Sequence, residues 1–167
     1  MNDLNQEQQP SRSAKKRAAK AVEDMAGRLV ALGDADFRRL PLNGEIREAI
    51  DEARRINSHG ARKRQLKHLA GLLRRDEDSH QQAEDFLEDL QLGRRKAAAD
   101  FHYLEALRER LCDPEQREGA LDEVRQKMSR IDTDKLRRLA ESARQHKDKR
   151  AFRELFRMLK AAHPEEL

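Results

Sequence analysis

The stretch Asp78–Leu111, DSHQQAEDFLEDLQLGRRKAAADFHYLEALRERL, decides the architecture, because its apolar residues keep a helical period over an unusual length. Phe86, Leu90, Ala97, Phe101, Leu104 and Leu107 recur at spacings of three, four or seven, which places them on one helix face. No proline interrupts the run, and Asp78 or Ser79 offers a side chain suited to opening it. At the usual rise an unbroken helix of this length spans about 45–50 Å, too long for a single small bundle. The run therefore reads as a connector between two lobes, residues 79–112, with Gly93 marking where a bend would fall.

Upstream, residues 1–10 are polar, Gln-rich and aperiodic, the composition of a disordered tail. A first lobe, residues 11–78, holds three helical patterns. Ser11 or Ser13 caps the first, whose stripe is Val22, Met25, Leu29 and Leu32, and Gly33 stands where a left-handed C-cap belongs. After a connection at Phe37–Pro41, Asn43 caps the second, with Ile46, Ala49, Ile50, Ala53 and Ile56, ending near Gly60. Leu66, Leu69, Ala70 and Leu73 form the third.

Downstream, residues 113–167 form a second lobe. Asp113-Pro114 is an N-cap followed by a first-position proline for a helix carrying Leu121, Val124 and Met128. Thr133 caps the next, with Leu136, Leu139, Ala140 and Ala143, and the last displays Phe152, Leu155, Phe156 and Leu159. All four prolines, Pro10, Pro41, Pro114 and Pro164, fall where periodicity starts or stops. The expected fold is all-α: two small three-helix lobes joined by a long helix.

The lobes also match internally. Ile46, Ala49, Ile50, Ala53 and Arg54 align with Leu136, Leu139, Ala140, Ala143 and Arg144, and the order Lys63-Arg64, Leu66, Leu69, Leu73 with Lys149-Arg150, Phe152, Leu155, Leu159. Any two amphipathic helices align to this degree, so duplication competes with a shared period, and the common Lys-Arg pair favours duplication.

Charged residues make up 41% of the chain and aromatics 4%, without Trp, which leaves material only for thin helical cores. Cys112 is the single cysteine, so an intramolecular disulfide and a thiolate cluster are excluded and a reducing compartment is expected. No apolar run approaches a membrane span or signal-peptide core, so a cytoplasmic protein with no membrane partner is expected.

The net charge of +4 is modest, so segregation matters more than the total. From Arg54 to Arg75 there are eight cations and no acid: Arg54, Arg55, Arg62, Lys63, Arg64, Lys67, Arg74 and Arg75. Asp76, Glu77, Asp78, Glu84, Asp85, Glu88 and Asp89 follow, and part of this acidic stretch is expected to pair with the basic one. A second corner carries Arg144, Lys147, Lys149, Arg150 and Arg153, diluted by Asp148 and Glu154, and the first helix adds Arg12, Lys15, Lys16, Arg17 and Lys20. Three such clusters on one chain point to RNA, whose phosphates reward cations by counterion release. Simple solvation of each cluster is the competing account.

Catalytic patterns are missing. The glycines are isolated, with no phosphate-binding loop, and Glu77 with His80 is half of a di-iron motif without its second copy. Cys112 has no paired base, and His102 beside Phe101 and Tyr103 reads as helix packing or an RNA-stacking side chain. The chain is not expected to be an enzyme, and no cofactor, metal or small-molecule substrate is expected.

Ser11-Arg-Ser-Ala-Lys-Lys-Arg17, Leu40-Pro-Leu42 leading into Ile46-Arg-Glu-Ala-Ile50, Arg62-Lys-Arg-Gln-Leu66, Leu104-Glu-Ala-Leu-Arg-Glu-Arg-Leu111 and Arg150-Ala-Phe-Arg-Glu-Leu155 occur in order over nearly the whole chain after residue 10. This set resembles the bacterial ribosome-associated YjgA family, also called the dual-action ribosomal maturation protein DarP family. The resemblance implies two three-helix lobes on a long helix and association with ribosomal RNA of large-subunit precursor particles. It further implies maturation of the peptidyl-transferase centre. Other members often carry an acidic extension before the Ser-x-Ser segment, where this chain has a short polar tail. The rival expectation is a helical protein-interaction module without direct RNA contact, and in either case a monomer when free.

Overall fold

The computed structural model describes residues 11–42, 44–128, 131–145 and 147–163. Among them are eight helices and no strand: α1 (Arg12–Val30), α2 (Asp34–Arg39), α3 (Gly44–Arg55), α4 (His59–Arg75), α5 (Glu77–Cys112), α6 (Arg117–Lys127), α7 (Thr133–Gln145) and α8 (Lys149–Ala162). The all-α expectation holds. The tail through Pro10, the Asn43 cap, His146 and Pro164 lie outside the described residues.

Two compact units divide between Leu92 and Gly93, inside α5 rather than at either end of it. The reason is that each half of the helix feeds a different core. Ala83 and Leu87 are buried in the first, with Phe86 and Leu90 packed against it, while Leu104, Leu107 and Leu111 are buried in the second. Between them residues 91–99 are exposed on every side, so Ala97 does not continue the apolar stripe. Gly93 does not interrupt the 36-residue helix.

In the first unit α1, α3 and α4 pack against one another. Their spacing of three and four brings Val22, Met25 and Leu29 of α1 together with Ile46 and Ile50 of α3 and Leu69 and Leu73 of α4. Leu66 is half-buried against this core. Ala26, Ala53 and Ala70 are fully buried, and their short side chains let the helix axes approach closely.

Several helix ends fall elsewhere than their sequence signals indicate. Ser11 caps α1 as expected, its Oγ accepting the Ala14 amide at 3.2 Å. Gly33, however, is not a left-handed C-cap: α1 closes at Ala31 in the right-handed region, and Gly33, at φ −66°, N-caps α2. That six-residue helix replaces the expected connection; Asp34 and Asp36 in its first turn and Arg38 and Arg39 in its last match the helix dipole.

Helix α3 stops at Arg55, not near Gly60, because Asn57 and Ser58 favour non-helical backbone; Gly60 instead lies in the first turn of α4. Helix α5 is opened by Asp76 rather than Asp78 or Ser79. Ser79 is the capped residue, its amide and hydroxyl donating to the Asp76 carboxylate at 3.0 and 2.8 Å.

Asp113 accepts the Glu115 amide at 3.0 Å and holds a turn, so α6 begins at Arg117 instead of directly at Pro114. Asp132, one residue before Thr133, binds the Lys135 amide at the start of α7.

In the second unit Leu121 and Val124 of α6, Leu136 and Ala140 of α7, and Leu155 and Leu159 of α8 close over the C-terminal half of α5. Glu123 clamps α6 to α5: its carboxylate accepts Tyr103 Oη at 2.9 Å, Arg110 Nη1 at 2.6 Å and Lys127 Nζ at 2.9 Å. The hydrogen bonds from Lys127 and Arg110 hold its carboxyl down to about 2, from an ordinary 4.5. A depressed folded pKa means that the clamp stabilises fully above about 4.5 and loses its contribution as pH falls toward 2. Glu123→Gln should therefore melt below the wild type at neutral pH, with the two melting curves converging near pH 2. A temperature difference unchanged by acid would show that the charge is not what clamps.

The internally matched positions share burial at Ile46 and Leu136, Ile50 and Ala140, Leu69 and Leu155, and Leu73 and Leu159. They differ at the helix start, because Lys63-Arg64 lies in the second turn of α4 and Lys149-Arg150 in the first turn of α8.

Candidate nucleic-acid interface

Helix starts separate into two groups. The first turns of α2, α3, α5, α6 and α7 contain an acid, which complements the partial positive charge of the helix N-terminus. Those of α1, α4 and α8 contain none, and these are the three helices that bring basic clusters to their starts. Cations on a positive helix end repel it. The arrangement suits an anion outside, reached by backbone amides and side chains together.

Arg12, Lys15, Lys16, Arg17 and Lys20 are all exposed, and no residue from 12 to 21 is buried. Lys15 stands seven residues before Val22, so the stripe that faces the core further along α1 turns basic here. On α4, Arg62, Lys63, Arg64 and Lys67 are exposed, and His68, Arg74 and Arg75 extend the outward face. Ser58 makes no side-chain capping bond, leaving the start of α4 the most open of the three. At α8, by contrast, Asp148 already accepts the Arg150 and Ala151 amides at 2.8 and 3.2 Å.

Arg144, Lys147, Lys149, Arg150 and Arg153 are likewise exposed, and no ion pair joins any of these side chains, or those on α1 and at the start of α4, to another described residue. The expected pairing of the acidic stretch with the basic one does not occur among the described residues. Asp76 holds Ser79 and Asp85 holds Gln81, each within its own helix turn.

Two cations differ from their companions. Arg54 is 17% exposed, donates to the Leu32 carbonyl and Asp34, and lies 4.6 Å over the Phe37 ring. Arg47 covers the same ring at 4.6 Å and donates to the carbonyls of Phe37 and Leu40 at 3.1 and 3.0 Å. Arg54 is thus a structural staple, not a surface cation, and Arg55 is paired with Asp51 on its own helix. The sequence signal was the seven-residue spacing of Arg47 and Arg54, two turns apart on one stripe with a Phe in the preceding connection.

Arg94, Arg95 and Lys96, which lie in the short acid-free run of residues 90–99, escaped the sequence reading; they sit on the part of α5 exposed all round. Cys112 is half-buried against the second core, and burial raises its thiol pKa. No helix among the described residues is long and apolar enough to cross a membrane.

The fold and these surfaces define a class: small all-α proteins with basic helix starts whose first turns hold no acid. Within it, the chain belongs to the dual-action ribosomal maturation protein DarP family, whose sequence model matches residues 8–160. Relatives of that name include one from Vibrio parahaemolyticus, 33% identical over 94% of this chain and 89% of its own. Others come from Burkholderia cenocepacia, 34% identical over 96% and 80%, and Xanthomonas oryzae pv. oryzae, 36% identical over 90% and 79%.

Proposed function

We propose that this chain is a ribosome assembly factor that binds ribosomal RNA of the immature large subunit and promotes maturation of the peptidyl-transferase centre. The observation that carries the reading is that the first turns of α1, α4 and α8 hold no acid while the cations at these three starts form no ion pair with a described residue. Phosphates would meet exposed cations at three places and uncapped helix amides at the start of α4, and the energy comes from released counterions. No catalytic group or cofactor is needed. The work is differential binding, favouring one RNA arrangement over its competitors by the difference in affinity. The protein acts in the cytoplasm, as a monomer when free. The relatives' name, a ribosomal maturation protein, supports the setting.

One feature favours the rival protein-interaction reading. An open groove of about 510 Å³ between α1 and the first turns of α5 has Val22, Met25 and Leu87 in its floor and Asp24, Glu84 and Glu88 on its rim. Salt separates the two. With six or more phosphate contacts, affinity for large-subunit precursor particles should fall roughly a thousandfold or more between about 50 and 200 mM salt. Binding that hardly changes over that range, measured by sedimentation, would assign the contact to the groove.

A further inference from the structure

We infer that the second unit also holds an unpaired RNA base, stacked on the exposed ring of Phe101 that Phe156 braces; this rests on the RNA reading above. The chain has five Phe and no Trp, and three of the five gather here. Phe101 is 46% exposed, a large apolar side chain that the second core does not use. Phe156 meets it in an edge-to-face arrangement, with centroids 5.2 Å apart and planes at 65°, which braces the ring while nearly half of the side chain stays exposed. His102, also exposed, borders it at 5.9 Å.

Arg108 lies 3.9 Å over Phe152 and 5.2 Å over Phe156, and its buried Nε has no hydrogen-bond partner among the described residues. Glu105 approaches Arg108 and His102 at 3.7 and 3.6 Å, Asp100 approaches His163 at 3.5 Å, and Glu154 binds Arg157 at 3.0 Å. Each of these three acids thus has a basic side chain within 4 Å. Along α8, Lys149, Arg153 and Lys160 stand seven, three and four residues from Phe156 and share its ridge. All three are exposed and none has an ion pair with a described residue.

Cations that track a phosphate backbone, interleaved with a braced aromatic face, are what single-stranded RNA requires: charge binds the strand and the ring stacks a base of any identity. A fully paired duplex keeps its bases stacked inside and gains nothing from the ring. An exposed aromatic with a fixed ring also loses little conformational freedom on binding.

The test uses the full chain, a short single-stranded RNA containing 2-aminopurine, and a blunt RNA duplex of the same length. The wild type should prefer the single strand and quench its fluorescence. Phe101→Leu, which keeps apolar bulk at a half-exposed position, should lose about tenfold in single-strand affinity, the worth of one stacked base, and lose the quenching. Its duplex affinity should stay within about twofold, and Phe101→Tyr should restore both signals. If Phe101→Leu quenches and binds like the wild type, or weakens both probes equally, the base site is wrong while RNA binding stands. Loss of particle binding by Phe101→Leu with no change in either RNA signal would assign the ring to a protein partner and overturn the base site. A wild type that binds neither RNA at low salt removes the RNA reading itself, and this site with it.

Discussion

Replacing Arg62, Lys63 and Arg64 together with Glu is expected to abolish co-sedimentation with large-subunit particles while leaving helical content nearly unchanged. All three side chains are exposed and none is ion-paired with a described residue, so their reversal removes no internal contact. Each exposed change should alter folding by no more than about 0.5 kcal/mol. Acids in the early turns of α4 would even suit its dipole, since the first turn contains none. At an RNA surface the same change loses three phosphate contacts and adds three repulsions, which lowers affinity by orders of magnitude. Reversal of Lys149, Arg150 and Arg153 should weaken binding less. Asp148 already occupies two amides at that helix start, so less anion-binding capacity is there to lose. A folded first variant that still migrates with the particles at moderate salt would sink the assignment of α4 as the principal contact. If neither variant is lost from the particles, the protein-interaction reading takes over.

The second large effect concerns stability. Leu155 is fully buried among the side chains of α5, α6, α7 and α8, and Leu155→Ala should destabilise the second core by about 2–5 kcal/mol. A small domain has only about 5–15 kcal/mol in total, so this change reaches a large share of it. The first core shares no residue with the second. Hydrogen exchange should therefore accelerate at the amides of Leu155, Leu159 and Leu136 while those of Leu29, Ile50 and Leu69 keep their protection. Equal acceleration at both sets would mean that α5 couples the two cores into one cooperative unit.

Helix periodicity made most of this fold legible, because Val22, Met25 and Leu29, or Leu136 and Ala140, can bury one face only if the chain is helical there. Capping was less legible. Asp76, Asp113 and Asp132 each sit near another plausible cap, and only the geometry of the turn decides which carboxylate meets which amide. Helix α2 is too short to leave a period. The candidate surface divides in the same way. Runs of cations on α1 and α4 are visible as letters, but a run does not say which of its members points inward, and Arg54 turned onto Phe37. Phe101 was misleading for the opposite reason: it keeps the spacing of the buried stripe on α5, yet the second core begins beyond it at Leu104.

The bare stretch of α5 has a kinetic consequence. Residues 91–99 touch neither core, so the apolar packing that holds the rest of α5 is missing there, and the propensity of Ala97, Ala98 and Ala99 is set against that of Gly93. Helix of this length with no buried face is marginal in water and gains by continuing into stable helix at both ends. Opening there costs less than opening any buried turn, and it is local, leaving the flanking turns wound. Arg94, Arg95 and Lys96 place three consecutive trypsin-sensitive bonds in that window, so a brief digestion would report the breathing of a single helical turn before either half of the protein unfolds.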